Sequence, residues 1–103
     1  MKYHIAVSPG AEADIDSASL WYEPTDPKLG FRFLSETDAT IKRIRQYPYA
    51  FPLIRGKVRR ALLKRFPYSV YYSILSDGVS IIVILHQRRS EAVWINRGND
   101  SPD

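Results

Sequence analysis

Residues 68–86 read YSVYYSILSDGVSIIVILH, and this stretch decides the fold. Two runs rich in β-branched and aromatic residues, Tyr68–Leu75 and Val79–His86, flank the tight-turn dipeptide Asp77-Gly78. They predict an antiparallel hairpin. Alternation along the second run sets Val79, Ile81, Val83 and Leu85 on one face and Ile82, Ile84 and His86 on the other. A strand that is apolar on both faces sits inside a sheet and is covered on both sides. In the first run, Tyr68 and Tyr72 share one face and Tyr71 takes the other. The rest of the chain must supply the cover.

Immediately upstream, Lys57–Arg65 (KVRRALLKR) predicts another strand. Pro48, Pro52 and Gly56 punctuate Tyr47–Gly56, which reads as irregular. The N-terminal Lys2–Val7 alternates and predicts a first strand. Ser8-Pro9-Gly10 breaks it, with Ser8 placed to cap a helix and Pro9 at its first position. Ala11, Ile15, Ala18 and Tyr22 then recur at helical spacing, with Trp21 beside them and Glu12, Asp16 and Glu23 opposite. Asp14 and Asp16 favour the first turns through the helix dipole. Pro24 and Pro27 end this helix. A second helix runs from Pro27 or Lys28 to Gln46, striped by Gly30, Leu34, Thr37, Ile41 and Ile44 and flanked by Phe31 and Phe33. The predicted order is β-α-α-β-β-β. This is an α+β domain with a helical hairpin on one face of a mainly antiparallel sheet. One domain spans residues 1–97, and GNDSPD at 98–103 reads as a polar, frayed tail. Nothing in the chain obviously covers the second sheet face, so a partner segment is expected there.

At 103 residues this is one small domain, with the 45% hydrophobic and 25% charged composition of a globular chain. Such a chain buries only about 60–68% of its unfolded surface. With no cysteine, neither disulfides nor thiolate-held zinc reinforce it, and a reducing cytoplasm is the expected compartment. No apolar run approaches the roughly 20 residues of a membrane span, and no signal-peptide pattern opens the chain. The formal charge of +4 conceals a division. Residues 1–41 carry three basic and seven acidic groups, whereas residues 42–97 carry twelve basic groups against Asp77 and Glu91. That imbalance points to polyanionic partners, either nucleic acid or an acidic protein.

Six of the basic groups fall within eleven positions: Arg55, Lys57, Arg59, Arg60, Lys64 and Arg65. On a strand, Lys57, Arg59, Ala61 and Leu63 share one face and Val58, Arg60, Leu62 and Lys64 the other. Guanidinium groups bind phosphate bidentately, so this segment is a candidate phosphate-contacting edge. Charge also protects an edge strand from aggregation, but six cations without an acid exceed that need. His86-Gln87-Arg88-Arg89 follows the apolar strand, where Arg88 and Arg89 are placed to hold an anion or stabilise developing charge, or serve as ordinary surface arginines. The tyrosines and Trp94 suit base stacking or sheet packing. No helical His/Glu ligand spacing, phosphate loop, dinucleotide fingerprint or nucleophile elbow occurs, so no metal and no cofactor are expected.

These residues together resemble the RelE/ParE superfamily, toxins of bacterial type II toxin–antitoxin systems, over about residues 3–97. The resemblance is carried by WY at 21–22, LGFRFL at 29–34, YPYAFP at 47–52, RRALLKRFPYSVYY at 59–72 and VILHQRRSEAVWINR at 83–97. The last two segments match the branch called ParE-like, or plasmid-stabilisation, proteins. The resemblance implies the same β-α-α-β-β-β fold and a cognate antitoxin as partner. RelE-like members cut messenger RNA on the ribosome with basic side chains on the sheet, which here would be Lys57, Arg59, Arg60, Arg88 or Arg89, with His86. ParE-like members poison DNA gyrase. Ser69 stands where the nuclease branch commonly has an arginine, and Trp94 stands near its C-terminal tyrosine; an indole only donates and cannot act as a base. These departures favour a growth-inhibiting toxin acting on gyrase or another DNA-linked target. Its contact set would be Arg55, Lys57, Arg59, Arg60, Lys64, Arg65, Arg88, Arg89, Trp94 and Arg97. A ribosome-dependent mRNA endoribonuclease is the alternative, and a non-toxic nucleic-acid-binding module is a third.

Overall fold

The predicted elements occur in the predicted order, with one short strand added at the sheet edge. The computed structural model describes residues 3–88. Its elements are β1 (His4–Val7), α1 (Pro9–Tyr22), α2 (Pro27–Gln46), β2 (Leu53–Arg55), β3 (Val58–Leu62), β4 (Tyr68–Ile74) and β5 (Gly78–His86). The sheet order is β1-β5-β4-β3-β2. All neighbours pair antiparallel except β1, which lies parallel to β5. The strand β2 falls in the stretch read as irregular. It has three residues after Pro52 and turns into β3 through Gly56, whose φ of 54° lies in the left-handed region. The strand expected over Lys57–Arg65 is shorter at both ends: Lys57 belongs to that turn, while Lys64 and Arg65 form the link to β4. Arg65 holds a φ of 70°, a left-handed conformation that costs a side-chain-bearing residue about 1 kcal/mol.

Both helices start as their sequences dictate. The Ser8 hydroxyl accepts from Ala11 N–H at 3.0 Å and the Asp26 carboxylate from Lys28 N–H at 3.0 Å, each ahead of a first-turn proline. In α1 the predicted stripe packs inward, with Ala11 and Ala18 buried and Ile15 and Tyr22 against the core, while Trp21 stays 75% exposed. In α2 the buried face is rotated from the predicted one. Phe33 and Thr40 lie within it, whereas Leu34 and Phe31 face solvent. Thr40 is tolerated because its hydroxyl donates to the Glu36 carbonyl at 2.8 Å, and Thr37 does the same to Phe33. Phe33 sits at the centre of an aromatic cluster, 5.0 Å from Tyr68, 5.5 Å from Phe66 and 5.8 Å from Tyr22. Burial raises the Tyr22 pKa above the ordinary phenol value.

Simple alternation fails in β5. Tyr71 pairs with Val83 and Tyr72 with Ile81, so Ile82 is an extra residue, a bulge. Val79, Ile81 and Ile84 therefore join the helix-side core, and Ile82, Val83 and Leu85 join Tyr71 on the opposite face. These last four are no more than 8% exposed in the single chain, so this part of the second face needs no partner to close it. Gly78 opens β5 instead of completing the turn. A Cβ there would lie 2.8 Å from the His4 carbonyl oxygen, a distance that forbids any side chain while β1 runs alongside.

The strand β1 matches only Gly78–Ile81 and leaves the rest of that β5 edge open. The start of α1 fills the gap. Ser8 N–H donates to Ile81 O at 3.0 Å, the Ser8 hydroxyl donates to Ile82 O at 3.0 Å, and Ile84 N–H donates to the Asp14 carboxylate at 3.0 Å.

Candidate functional site

The basic stretch that looked continuous in sequence divides over the structure. In β3, alternation turns Arg59 toward Tyr72 and Arg60 toward Tyr71 on the other face. The Arg59 Nη1 donates to the Phe51 carbonyl at 2.6 Å and to the Tyr49 carbonyl at 3.4 Å, and its guanidinium lies 5.3 Å from the Tyr49 ring centroid. Next to it, the buried Tyr72 hydroxyl donates to the Pro48 carbonyl at 2.6 Å. Burial pushes the Tyr72 phenol up to about 12, against a smaller downward pull from the Arg59 charge. Arg59 and Tyr72 thus hold the segment between α2 and β2 against the sheet.

The other cations separate along the strand. Arg55 and Lys57 are exposed at the β2–β3 turn, and Lys64 and Arg65 are exposed beyond the far end of β3. At about 3.3 Å per residue, the five residues of β3 set these groups more than ~13 Å apart. Arg60 lies between them, half-buried on the face away from the helices, with no side-chain hydrogen bond among the described residues.

At the far end a smaller group forms. Tyr68, the first residue of β4, pairs with His86, the last of β5, and their rings meet edge-on at 5.1 Å. Gln87 N–H donates to Pro67 O at 2.8 Å and Leu63 N–H to Tyr68 O at 2.9 Å, which brings the ends of β3 and β5 beside the start of β4. Arg88 N–H donates to His86 Nδ1 at 3.1 Å, so the neutral ring carries its proton on Nε2. Lys64, Arg65 and Arg88 are exposed at this end of the sheet. Ser69 is buried and pairs with Leu85, and it adds no charge. Arg89, Trp94 and Arg97 lie outside the described residues. Among the described residues, no three His, Asp or Glu side chains come together to hold a metal ion.

Two polar residues that fix this geometry escaped the sequence reading. Asp14 looked like a dipole-favouring residue of the first helix, yet it partners β5, 70 residues away. Tyr72 was read for stacking or packing, but it also carries a buried hydrogen bond. The Pro48–Tyr49–Ala50–Phe51–Pro52 run was the available clue to the second, since three carbonyls in a segment without regular structure need donors.

Residues 5–91 match the family model described as ParE toxin of type II toxin-antitoxin system, parDE. The fold is similar to that in the chromosomal ParDE toxin–antitoxin system of P. aeruginosa, with a TM-score of 0.74 and 19% identity over 82% of this chain and 96% of that one. It is also similar to the RelBE2 toxin–antitoxin complex of Mycobacterium tuberculosis, with a TM-score of 0.58 and 16% identity over 84% of this chain and 99% of that one. Identities this low establish the fold alone. No protein of curated function matches the sequence.

Proposed function

Because this chain belongs to the ParE toxin family of type II toxin–antitoxin systems, we propose that it arrests growth by acting on DNA gyrase or another DNA-linked target. The observation that carries this choice is the fate of Arg59. A ribonuclease built on the basic strand needs Lys57, Arg59 and Arg60 to converge on one phosphate. Here Arg59 is committed to the Phe51 and Tyr49 carbonyls, Arg60 faces the other side of the sheet, and Lys57 sits in a turn. What is left is a set of separated, exposed cations, which suits an extended polyanionic or protein surface better than a single scissile bond.

A cognate antitoxin holds the toxin inactive under this reading. Both similar structures are toxin–antitoxin assemblies, and the division into an acidic N-terminal part and a basic C-terminal part offers a partner two complementary surfaces. The cytoplasm, where such a target and partner are found, agrees with a chain of no cysteines and with described helices too short or too polar to cross a membrane.

Induced expression tests the reading, with purified gyrase assayed for supercoiling and for DNA breakage. Growth arrest with loss of supercoiling, relieved by the small gene beside this one, is the expected result. Codon-phased transcript cuts with gyrase unaffected would reverse the assignment. That second reading, ribosome-dependent mRNA cleavage, rests on the convergence of Lys64, Arg65, Tyr68, His86 and Arg88 at one end of the sheet. In that case Arg88→Ala abolishes the cuts.

A further inference from the structure

The chain has seven tyrosines, all within the described residues, and only Tyr47 and Tyr49 are exposed, at 63% and 64%. Both belong to the segment between α2 and β2. A single exposed aromatic ring is ordinarily incidental. These two differ because the backbone that carries them is fixed from inside. Tyr47 N–H donates to Arg43 O at 2.8 Å and Ala50 N–H to Tyr47 O at 3.0 Å, which closes a turn. The Pro48 carbonyl, between the two rings, accepts from the buried Tyr72 hydroxyl, and the Tyr49 and Phe51 carbonyls accept from Arg59. Pro48 is buried and the Phe51 ring meets Tyr72 edge-on at 6.3 Å, so alternate residues anchor the segment and leave Tyr47 and Tyr49 outside. The Arg59 guanidinium lies over the Tyr49 ring and sets its orientation. Two residues of chain span at most about 7 Å, so the rings stand on neighbouring footings.

The surroundings are cationic. No Asp or Glu occurs between Asp38 and Asp77. Of these two acids, Asp38 pairs with Lys42 at 3.1 Å, and Asp77 lies in the β4–β5 turn. Arg45 donates from Nε to the Tyr3 carbonyl and stays exposed, and Arg55 and Lys57 are exposed at the β2–β3 turn. None of the three is in an ion pair among the described residues. Arg45 thus reaches the residue before β1, while Arg55 ends β2, and these strands are the two edges of the sheet. Strands about 4.8 Å apart put those edges roughly 19 Å from each other. Tyr47 and Tyr49 come between Arg45 and Arg55 along the chain.

A ligand suited to this surface is anionic along its length and carries flat, apolar side groups. We propose that this end of the molecule binds an unpaired nucleic-acid strand, with consecutive bases stacked on Tyr47 and Tyr49 and the flanking phosphates on Arg45, Arg55 and Lys57. A duplex fits less well, because its bases already stack on each other and offer a protruding ring nothing to cover. A run of carboxylates satisfies the cations and leaves both rings bare. Arg59 and Tyr72 become positioning residues, which hold the stacking segment in place without touching the strand. The site goes beyond the gyrase reading and does not depend on it, since its chemistry belongs to this chain alone.

The test is an NMR titration of the full chain with a single-stranded oligothymidylate of about ten nucleotides, within the span of one such site. Stacking is expected to move the ring-proton resonances of Tyr47 and Tyr49 upfield. Tyr47→Ala and Tyr49→Ala should each weaken binding about tenfold, and Tyr47→Phe, which keeps the ring, should bind as the parent does. Both side chains are exposed, and unchanged sheet amides in the variants show that the fold is kept. Three phosphate contacts give log K a slope of about −2 against log salt, and Arg55→Ala should make it shallower by about 0.7. Unmoved ring resonances, or unchanged affinity when both tyrosines are replaced by alanine, would overturn the proposal. Equal affinity for a duplex of the same length would overturn it in favour of phosphate contacts alone. The same ring shifts with a polyglutamate peptide would overturn it in favour of an acidic protein surface. Growth arrest and gyrase inhibition are measured separately, so failure of this site and failure of the toxin reading give different results.

Discussion

Arg59→Ala is the substitution that best separates scaffold from function in the basic stretch. Truncation removes the 2.6 Å bond to the Phe51 carbonyl, the longer one to Tyr49 and the contact with the Tyr49 ring. A hydrogen bond from a charged donor is worth about 1.5–3 kcal/mol, and an exposed cation–ring contact about 0.5–1 kcal/mol. The 3.4 Å bond adds little. The expected loss is therefore about 3 kcal/mol, a large part of the ~5–15 kcal/mol that holds a small domain together. At roughly 4–8 °C per kcal/mol for a domain of this size, the melting temperature should fall by on the order of 15 °C. Arg60→Ala is the control: with no side-chain hydrogen bond to lose among the described residues, it should cost less than ~1 kcal/mol. Urea unfolding followed by circular dichroism measures both. Because Arg59 and Tyr72 grip the same segment, Arg59→Ala and Tyr72→Phe should couple by roughly 0.5–1 kcal/mol in a double-mutant cycle. The reasoning is refuted if Arg59→Ala unfolds within ~0.5 kcal/mol of the parent, which lies inside the range of ordinary surface changes. Retained stability together with lost toxicity would return Arg59 to the functional set.

Tyr72→Phe should cost about 1–2 kcal/mol at neutral pH, because the Pro48 carbonyl loses its donor in a buried setting. The folded chain holds the Tyr72 proton to about pH 12 and the unfolded chain to about 10, so its contribution is complete below pH 10 and lost as pH climbs through 12. The phenylalanine variant should then lose stability less steeply over that window in pH-dependent unfolding. Gly78→Ala, with its Cβ driven to within 2.8 Å of the His4 carbonyl, should cost about 1–3 kcal/mol and speed hydrogen exchange of the β1 amides first. Asp14→Ala leaves Ile84 N–H without its acceptor and should cost about 1–2 kcal/mol, with faster exchange at Ile84 as the specific sign.

The architecture was legible because it rests on short-range signals. Ser8-Pro9 and Asp26-Pro27 mark helix starts, and alternation marks β3 and β4. What was hidden depends on residues far apart in sequence. The Ile82 bulge is invisible in a run of isoleucines and valines where every register looks equally apolar, yet it reverses the faces of Val83 and Leu85. Phe33 displaced Leu34 from the α2 core because the aromatic cluster with Tyr22, Phe66 and Tyr68 decides the rotation of that helix, and those partners come from three other segments. The candidate site suffered the same way. A run of arginines says how much charge the strand carries, but not that alternation and a loop of bare carbonyls divert Arg59 into the scaffold.

The parallel pairing of β1 with β5 also sets a schedule for synthesis. Val7 waits for Ile81, and the Ser8 hydroxyl waits for a carbonyl 74 residues further on. A ribosome adding roughly 5–20 residues per second needs about 4–15 s to cover that interval. The helical hairpin and the β3–β4 pair can form meanwhile, but β5, which contributes to both core clusters, is the last described element to be made. Non-local closure of this kind is slow even for the finished chain. The molecule therefore gains its core, and any activity that depends on it, only after β5 has been made.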